Sequence, residues 1–449
     1  MTAANIRESL YRVLPLAVFL AAYFFLTVAG NLLYTSDLIS TSLERVLPDP
    51  SNMPKMHDAA FWLLLALPFV AAPIAFAVRR LLAPATRQLA PHITDIEPWH
   101  YVLMLAACYG FVVFSFWRAD VLALAWVGND VFSSVRARFE ILDRLGFWAR
   151  MALQSPLVFL TIYSYIRALK SRRALWIVAS VINIVSLATL MVSLNMKWPM
   201  MTLCGALTLS VFFNARARPL LSAAAMAVAS VGVYLVVSVA VLRLAPPLES
   251  VRHEIQTPSS GARPLNQYRP DTGGVLLSSA ENAPFLLLQV INRMALPVPY
   301  YYATFSREGP ICGTIVDRIL RKTNPCQPSN LIYEKMYGED EFAGIGTAPA
   351  AVHITGYALG GWPGALVEIT LTMIVLGAFM ALPVTSSATA ATIGIMGGLA
   401  GYFFSQLPFE GPIVYDHGIL WWGLMISAYL LFRYLKQAKR PAGETQAKV

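Results

Sequence analysis

The chain has 449 residues, of which 57% are hydrophobic and 13% charged, and its formal net charge is +9. Soluble domains carry roughly 25% charged residues, so this composition excludes an ordinary soluble globular fold. The positive balance does not point to nucleic acid, because the basic residues fall in short connections between apolar runs and not on a polar module interleaved with aromatics.

Apolar runs long enough to cross a hydrocarbon core about 30 Å thick recur along the chain. In lipid every backbone N–H and C=O must be paired within the protein, so such runs form helices and not strands. Ten are read, near 14–33, 59–78, 101–117, 151–166, 174–194, 199–213, 220–242, 364–383, 388–404 and 418–432. The first, Leu14 to Leu33, is longer than a signal-peptide core and is not closed by a small-x-small site, so it reads as an uncleaved span. Lys and Arg in short loops set the sides. Arg7 and Arg12, then Arg79, Arg80 and Arg87, then Arg167, Lys170, Arg172 and Arg173 all fall on one side. Arg216 and Arg218, and Arg433, Lys436, Lys439 and Arg440 in the tail, join them there, which predicts two cytoplasmic termini. Asp37, Glu44, Asp49 and Asp58 against Arg45 and Lys55 suit the other side.

The expected fold is an all-α polytopic integral membrane protein with about ten transmembrane helices and one large outer loop. Residues 1–242 form a bundle of about seven spans, 243–363 the outer loop with short helices, and 364–449 the closing spans and a cytoplasmic tail. One connection strains the rule. Residues 118–150 carry Arg118, Arg136, Arg138, Arg144 and Arg150, offset by Asp120, Asp130, Glu140 and Asp143, on the side that parity makes outer. They read as an amphipathic surface helix, as an outer anion site using Arg136 and Arg138, or as a sign that the span count is wrong.

Within the long loop, 245–274 is rich in Pro, Gly, Ser and Gln and reads as irregular. Residues 285–305 are apolar, but Pro297 and Pro299 oppose one continuous helix. Tyr300, Tyr301 and Tyr302 suit a membrane interface, so a short helix on or in the outer leaflet is predicted. Cys108 and Cys204 sit in apolar runs as packing residues. Cys312 and Cys326 share the outer loop and form a natural disulfide pair if that compartment is oxidising. Closing a loop of about 15 residues would contribute about 3 kcal/mol in the chain-entropy model.

No CxxC, HExxH, P-loop, GxGxxG or GxSxG pattern occurs, so no metal or nucleotide cofactor is expected. Chemistry then falls to polar residues at the outer ends of the spans. Lys197, in the tight Asn195-Met196-Lys197-Trp198-Pro199 connection, reads as a snorkelling anchor or as a phosphate ligand. Arg293, in Val290-Ile291-Asn292-Arg293-Met294, needs a partner: a carboxylate, or a lipid-linked phosphate held in bidentate fashion. His353 and Tyr357 are four apart and share a helical face. His353 reads as a structural histidine or as a general base, and Glu368, inside an apolar run, as partnered or functional. Glu410, Asp416 and His417 are weaker candidates, and Arg307, Arg318 and Arg321 are solvated-loop arginines by default.

At these residues the chain resembles the Wzy-type O-antigen and oligosaccharide repeat-unit polymerases. The resemblance lies in the late large loop followed by closing spans and in the Lys197-Trp198-Pro199 hairpin with Arg216 and Arg218 after it. It lies most specifically in Gly346-Thr347-Ala348-Pro349 leading to Tyr357-Ala358-Leu359-Gly360-Gly361-Trp362-Pro363-Gly364. Members often place an aromatic residue directly before the Gly, where this chain has Leu359. The resemblance implies a metal- and nucleotide-independent glycosyltransferase at the outer face of a bacterial inner membrane. It would polymerise repeat units linked to undecaprenyl pyrophosphate, with membrane lipid around it and a chain-length regulator as a partner. Arg293, Lys197, Arg136, Arg138, Tyr357 and Arg307 would bind substrate, and His353 or Glu368 would take the proton. A transporter or flippase, a related lipid-carrier glycan ligase, and a structural assembly factor are the other readings.

Overall fold

The apolar runs fold as helices in a computed structural model that describes residues 3–34, 58–119, 131–194, 197–215, 218–244, 294–313, 326–338, 346–415 and 417–438. Among these residues every regular element is helical. Helix α1 (Ala3–Tyr23) continues through a π-helical turn (Phe24–Val28) into Ala29–Tyr34. It is followed by α2 (Ala59–Leu89), α3 (Pro98–Arg118), α4 (Val131–Gln154) and α5 (Pro156–Ser171). Next come α6 (Ala174–Ser193), α7 (Lys197–Asn214) and α8 (Pro219–Leu244). Two short helices, α9 (Pro297–Glu308) and α10 (Pro328–Tyr337), precede α11 (Val352–Ala381). The chain closes with α12 (Ala388–Phe404), the short α13 (Glu410–Val414) and α14 (Ile419–Ala438).

Among the described residues, seven helices are long and apolar enough to cross a membrane: Arg7–Leu33, Ala59–His92, Pro98–Arg118, Arg144–Ser171, Ala174–Met191, Val352–Ala381 and Glu410–Lys436. Three shorter apolar helices, Pro199–Asn214, Pro219–Ser230 and Ala388–Phe404, fall on the remaining runs read from the sequence. The core forms where α11 packs along α2, and α1 lies against α12 and α11. Helix α5 meets α6, α7 and α12 on its other sides, and most of its residues from Leu157 to Ile166 are buried. Helices α9 and α10 pack together and both touch α11.

The charged connections gather at one end of the bundle. Asp95 pairs with Arg167 and accepts the Ala388 N–H at 2.7 Å, which caps α12. Lys170 donates to the Ser387 carbonyl at 3.0 Å, and the Thr389 hydroxyl to the Thr94 carbonyl at 2.8 Å. Glu97 pairs with Arg433, and its N–H donates to the Tyr429 hydroxyl at 3.0 Å. The 94–97 connection is thereby tied to α5, α12 and α14. Since α2 has 31 residues, about 46 Å of helix separates Asp58 from this end.

Two expectations change. The tyrosines Tyr300, Tyr301 and Tyr302 do not lie at a lipid interface: they are buried by protein at 4%, 1% and 4% exposure. The short helix expected there is present: Pro297 and Pro299 sit in the first turn of α9, where their missing N–H groups are not needed, and no continuous helix runs on through Leu296. The fourth span begins earlier than residue 151. Helix α4 turns at Gly146, and the apolar stretch counted from Arg144 runs on through Ser155 to Ser171.

Candidate functional site

The site is built around a break in α11. Gly360 and Gly361 leave the helical region, and Gly361 has φ 60° and ψ −149°, which is open almost only to glycine. Pro363 then starts the second arm, where its fixed φ suits a helix start. The arms, 352–359 and 362–381, double back on each other. Residues eight apart on a straight helix would be separated by about 12 Å. Here a Cβ placed on Gly356 would come within 2.7 Å of the Gly364 carbonyl oxygen and 3.0 Å of the Glu368 carboxyl carbon. A Cβ on Gly364 would collide with the Gly356 carbonyl in turn. Only two glycines allow this approach, and it sets the buried Glu368 carboxylate against the first arm.

On the first arm His353 and Tyr357 lie one turn apart and meet different partners. His353 is fully buried, with Nε2 3.1 Å from the Tyr23 hydroxyl and the two rings edge to face at 5.1 Å. The Tyr23 O–H donates onward to the Leu65 carbonyl at 3.0 Å. The imidazole thus ties the arm to α1 and α2. The enclosed ring held by Tyr23 fits the reading of His353 as a structural histidine. Tyr357 stacks on Tyr302 at 5.9 Å and meets the half-buried Trp362 edge to face at 5.7 Å.

Helix α9 completes the cluster. The Tyr302 O–H donates to Asp58, at 2.9 and 3.1 Å from its two oxygens, and Phe61 packs edge to face on the Tyr302 ring. Asp58 is also the N-cap of α2 and accepts the Phe61 N–H at 2.8 Å. These two donors hold the Asp58 carboxyl below the usual carboxylate range. Burial, with the Asp58 carboxylate beside it, pushes the Tyr302 phenol up to about 12. The Tyr301 O–H donates to the Ala348 carbonyl at 3.0 Å, and the Ala348 N–H donates to Ser329 in α10 at 2.9 Å. The Gly-Thr-Ala-Pro segment is thus strapped to α9 and α10. Asn31 extends the strap, donating to the Thr27 and Ala295 carbonyls at 2.9 and 3.1 Å beside the π-helical turn.

Of the residues singled out in the sequence, the structure brings Tyr357, Glu368 and His353 onto one broken helix. Arg307 is exposed in the last turn of α9. Arg293 and Asp416 lie outside the described residues. Lys197 begins α7, and Arg136 and Arg138 are in α4, but their side chains are outside the described set. His417 is buried, with Nδ1 2.8 Å from the Gln154 carbonyl and its ring stacked on Phe403. Cys312 and Cys326 are joined as a disulfide with Cα atoms 4.7 Å apart. Asp58 and Tyr302 were missed as site residues. Asp58 did carry a signal, an acid immediately before an apolar helical run, the pattern of an N-cap.

The fold class is all-helical, with helices suited to a membrane, and the site is an aromatic and carboxylate cluster at one bundle end. No protein-family model, curated protein or solved structure matches the chain.

Proposed function

We propose that the chain is a polytopic inner-membrane glycosyltransferase, with ten spans and residues 243–363 on the periplasmic side, that polymerises oligosaccharide units carried on undecaprenyl pyrophosphate. The observation that carries this reading is the cluster of Tyr302, Tyr357 and Trp362 beside Asp58, next to the Gly-broken arm that holds Glu368. Flat aromatic faces with a polar edge and a carboxylate suit a sugar ring, which has apolar C–H faces and a hydroxyl rim. In the reaction a hydroxyl of the acceptor sugar attacks the anomeric carbon of the donor glycan. The bond from that carbon to the pyrophosphate oxygen breaks, and undecaprenyl pyrophosphate leaves with the bonding pair. Glu368 takes the hydroxyl proton when the arms of α11 part at Gly356 and Gly364. Arg293 and Lys197 neutralise the leaving pyrophosphate, and Arg136, Arg138 and Arg307 hold the second lipid phosphate, by charge and positioning.

A second reading, transport of a lipid-linked or small solute, is favoured by one observation. A discontinuous helix with a buried acid beside the break is a feature of many transporters. Deleting the gene in its host and sizing the surface glycan separates them. Single repeats in place of long chains support polymerisation, loss of all export supports transport, and full-length glycan retained on its carrier supports a ligase. Complementation with Glu368→Gln is then expected to lower polymer yield about 100-fold or more, the range for a lost general base. Unchanged chain length in that variant removes Glu368 from the chemistry.

A further inference from the structure

Two helices of the bundle mark where a bilayer would begin and end. Helix α3 starts beside the 94–97 connection at the basic end and runs away from it, so Trp99 and Trp117 stand near its two ends. They are exposed at 72% and 75%. No charged side chain falls between Tyr101 and Phe116, and within α3 only Tyr101, Val112 and Phe116 are buried. Val102, Leu103, Val113 and Phe114 are exposed between the two indoles. Helical rise sets those indoles about 27 Å apart, close to the hydrocarbon thickness of about 30 Å. An indole has an apolar body and one polar N–H, so it is favoured where hydrocarbon meets headgroups.

Helix α2 gives the same span from different residues. It has no charged side chain from Ala59 to Val78, and that stretch is bounded by Asp58 on one side and by Arg79 and Arg80 on the other. Helical rise puts Asp58 about 32 Å from Arg79. The 94–97 connection follows α2, so Arg79 and Trp99 belong to the basic end and Asp58 and Trp117 to the far end. The Thr86 hydroxyl donates to the Ala381 carbonyl at 2.6 Å, which sets the close of α11 beside the close of α2. Trp362, at the start of the long arm of α11, is therefore at the far end too, and its ring meets Tyr357.

We propose that Asp58 and the Tyr302–Tyr357–Trp362 cluster lie at the headgroup depth of one leaflet and face a phospholipid headgroup layer. The substrate class that this depth fits is an amphiphile whose chain stays in the bilayer while its polar head emerges at the cluster. The placement rests on span lengths and exposed indoles, not on glycan transfer. The test is quenching of tryptophan fluorescence by brominated phosphatidylcholine, in vesicles that hold the full chain. The bromine is carried on acyl carbons either near the headgroup or near the chain end. Each indole is read as the difference between the native chain and Trp117→Phe, Trp362→Phe or Trp99→Phe. Shallow bromine is expected to remove more of each difference than deep bromine does. If Trp362→Phe does not fold, Trp362→Tyr takes its place. An equal or larger loss with deep bromine, or no loss with either at Trp362, overturns the placement. A chain that makes no polymer but shows the shallow pattern would sink the glycan reading and keep this one.

Discussion

The two ends of this bundle are held together by different physics. At the end with the α11 break, contact is made by backbone approaching backbone at Gly356 and Gly364, and by rings: Tyr302 on Tyr357, Tyr357 on Trp362, His353 on Tyr23. At the other end, charge does the tying, through Asp95 with Arg167 and Glu97 with Arg433. Close packing has a short range and is insensitive to ions, whereas partly exposed ion pairs are screened by salt. The two arms of α11 meet through glycine backbone, with no Cβ between them. A charged knot across α5, α12 and α14 suits a fixed base.

The sharpest way to break this comparison is Gly364→Val. Its side chain would run into the Gly356 carbonyl, so a loss of about 3 kcal/mol is expected, at the upper end of overpacking costs. The check is the thermal midpoint in detergent, and an unchanged midpoint would show that the arms do not meet. Next in size, Asp95→Ala leaves Arg167 and the Ala388 N–H without their acceptor. We expect a loss of about 2 kcal/mol, the scale of a charged hydrogen bond. That loss should shrink as salt is raised, while the Gly364→Val loss should not. Smaller again, Tyr301→Phe removes the buried hydroxyl that holds Ala348 and should cost about 1 kcal/mol by chemical denaturation. The smallest expected effect is at Asp58, and it shows as a pH dependence confined to acid. Its folded pKa is lowered, so its contribution is present above the ordinary carboxylate value of about 3.9 and is lost only as pH falls through the lower folded value. Asp58→Asn should therefore flatten the acid limb of a stability–pH profile and leave pH 6 to 8 unaltered in shape.

Much of the helical plan was legible because the hydrocarbon thickness sets a run length that any sequence scan can find. The run read at 364–383 nearly coincides with the long arm 362–381 of α11. The short arm was not legible. Residues 352–359 are too few to register as a span, and Gly360-Gly361 read only as a loop entering one. Glu368 was visible as an acid in an apolar run. That it would sit against Gly356 was not, since the two are twelve positions apart and meet only because the chain reverses. The Tyr300–Tyr302 run was misplaced because amphipathic rings suit a lipid interface and a protein interior equally well. Which one they occupy depends on whether α10 and α11 arrive to cover them.

By itself the sequence determined an all-helical chain with membrane-length apolar helices and a basic bias in its short connections. Those properties depend on local composition and run length alone. The tertiary structure decided that Asp58 meets Tyr302, that His353 is locked behind Tyr23, and that a cavity forms beside Lys170. Each joins residues from distant parts of the chain. Such contacts follow from how helices pack, and no local pattern encodes them.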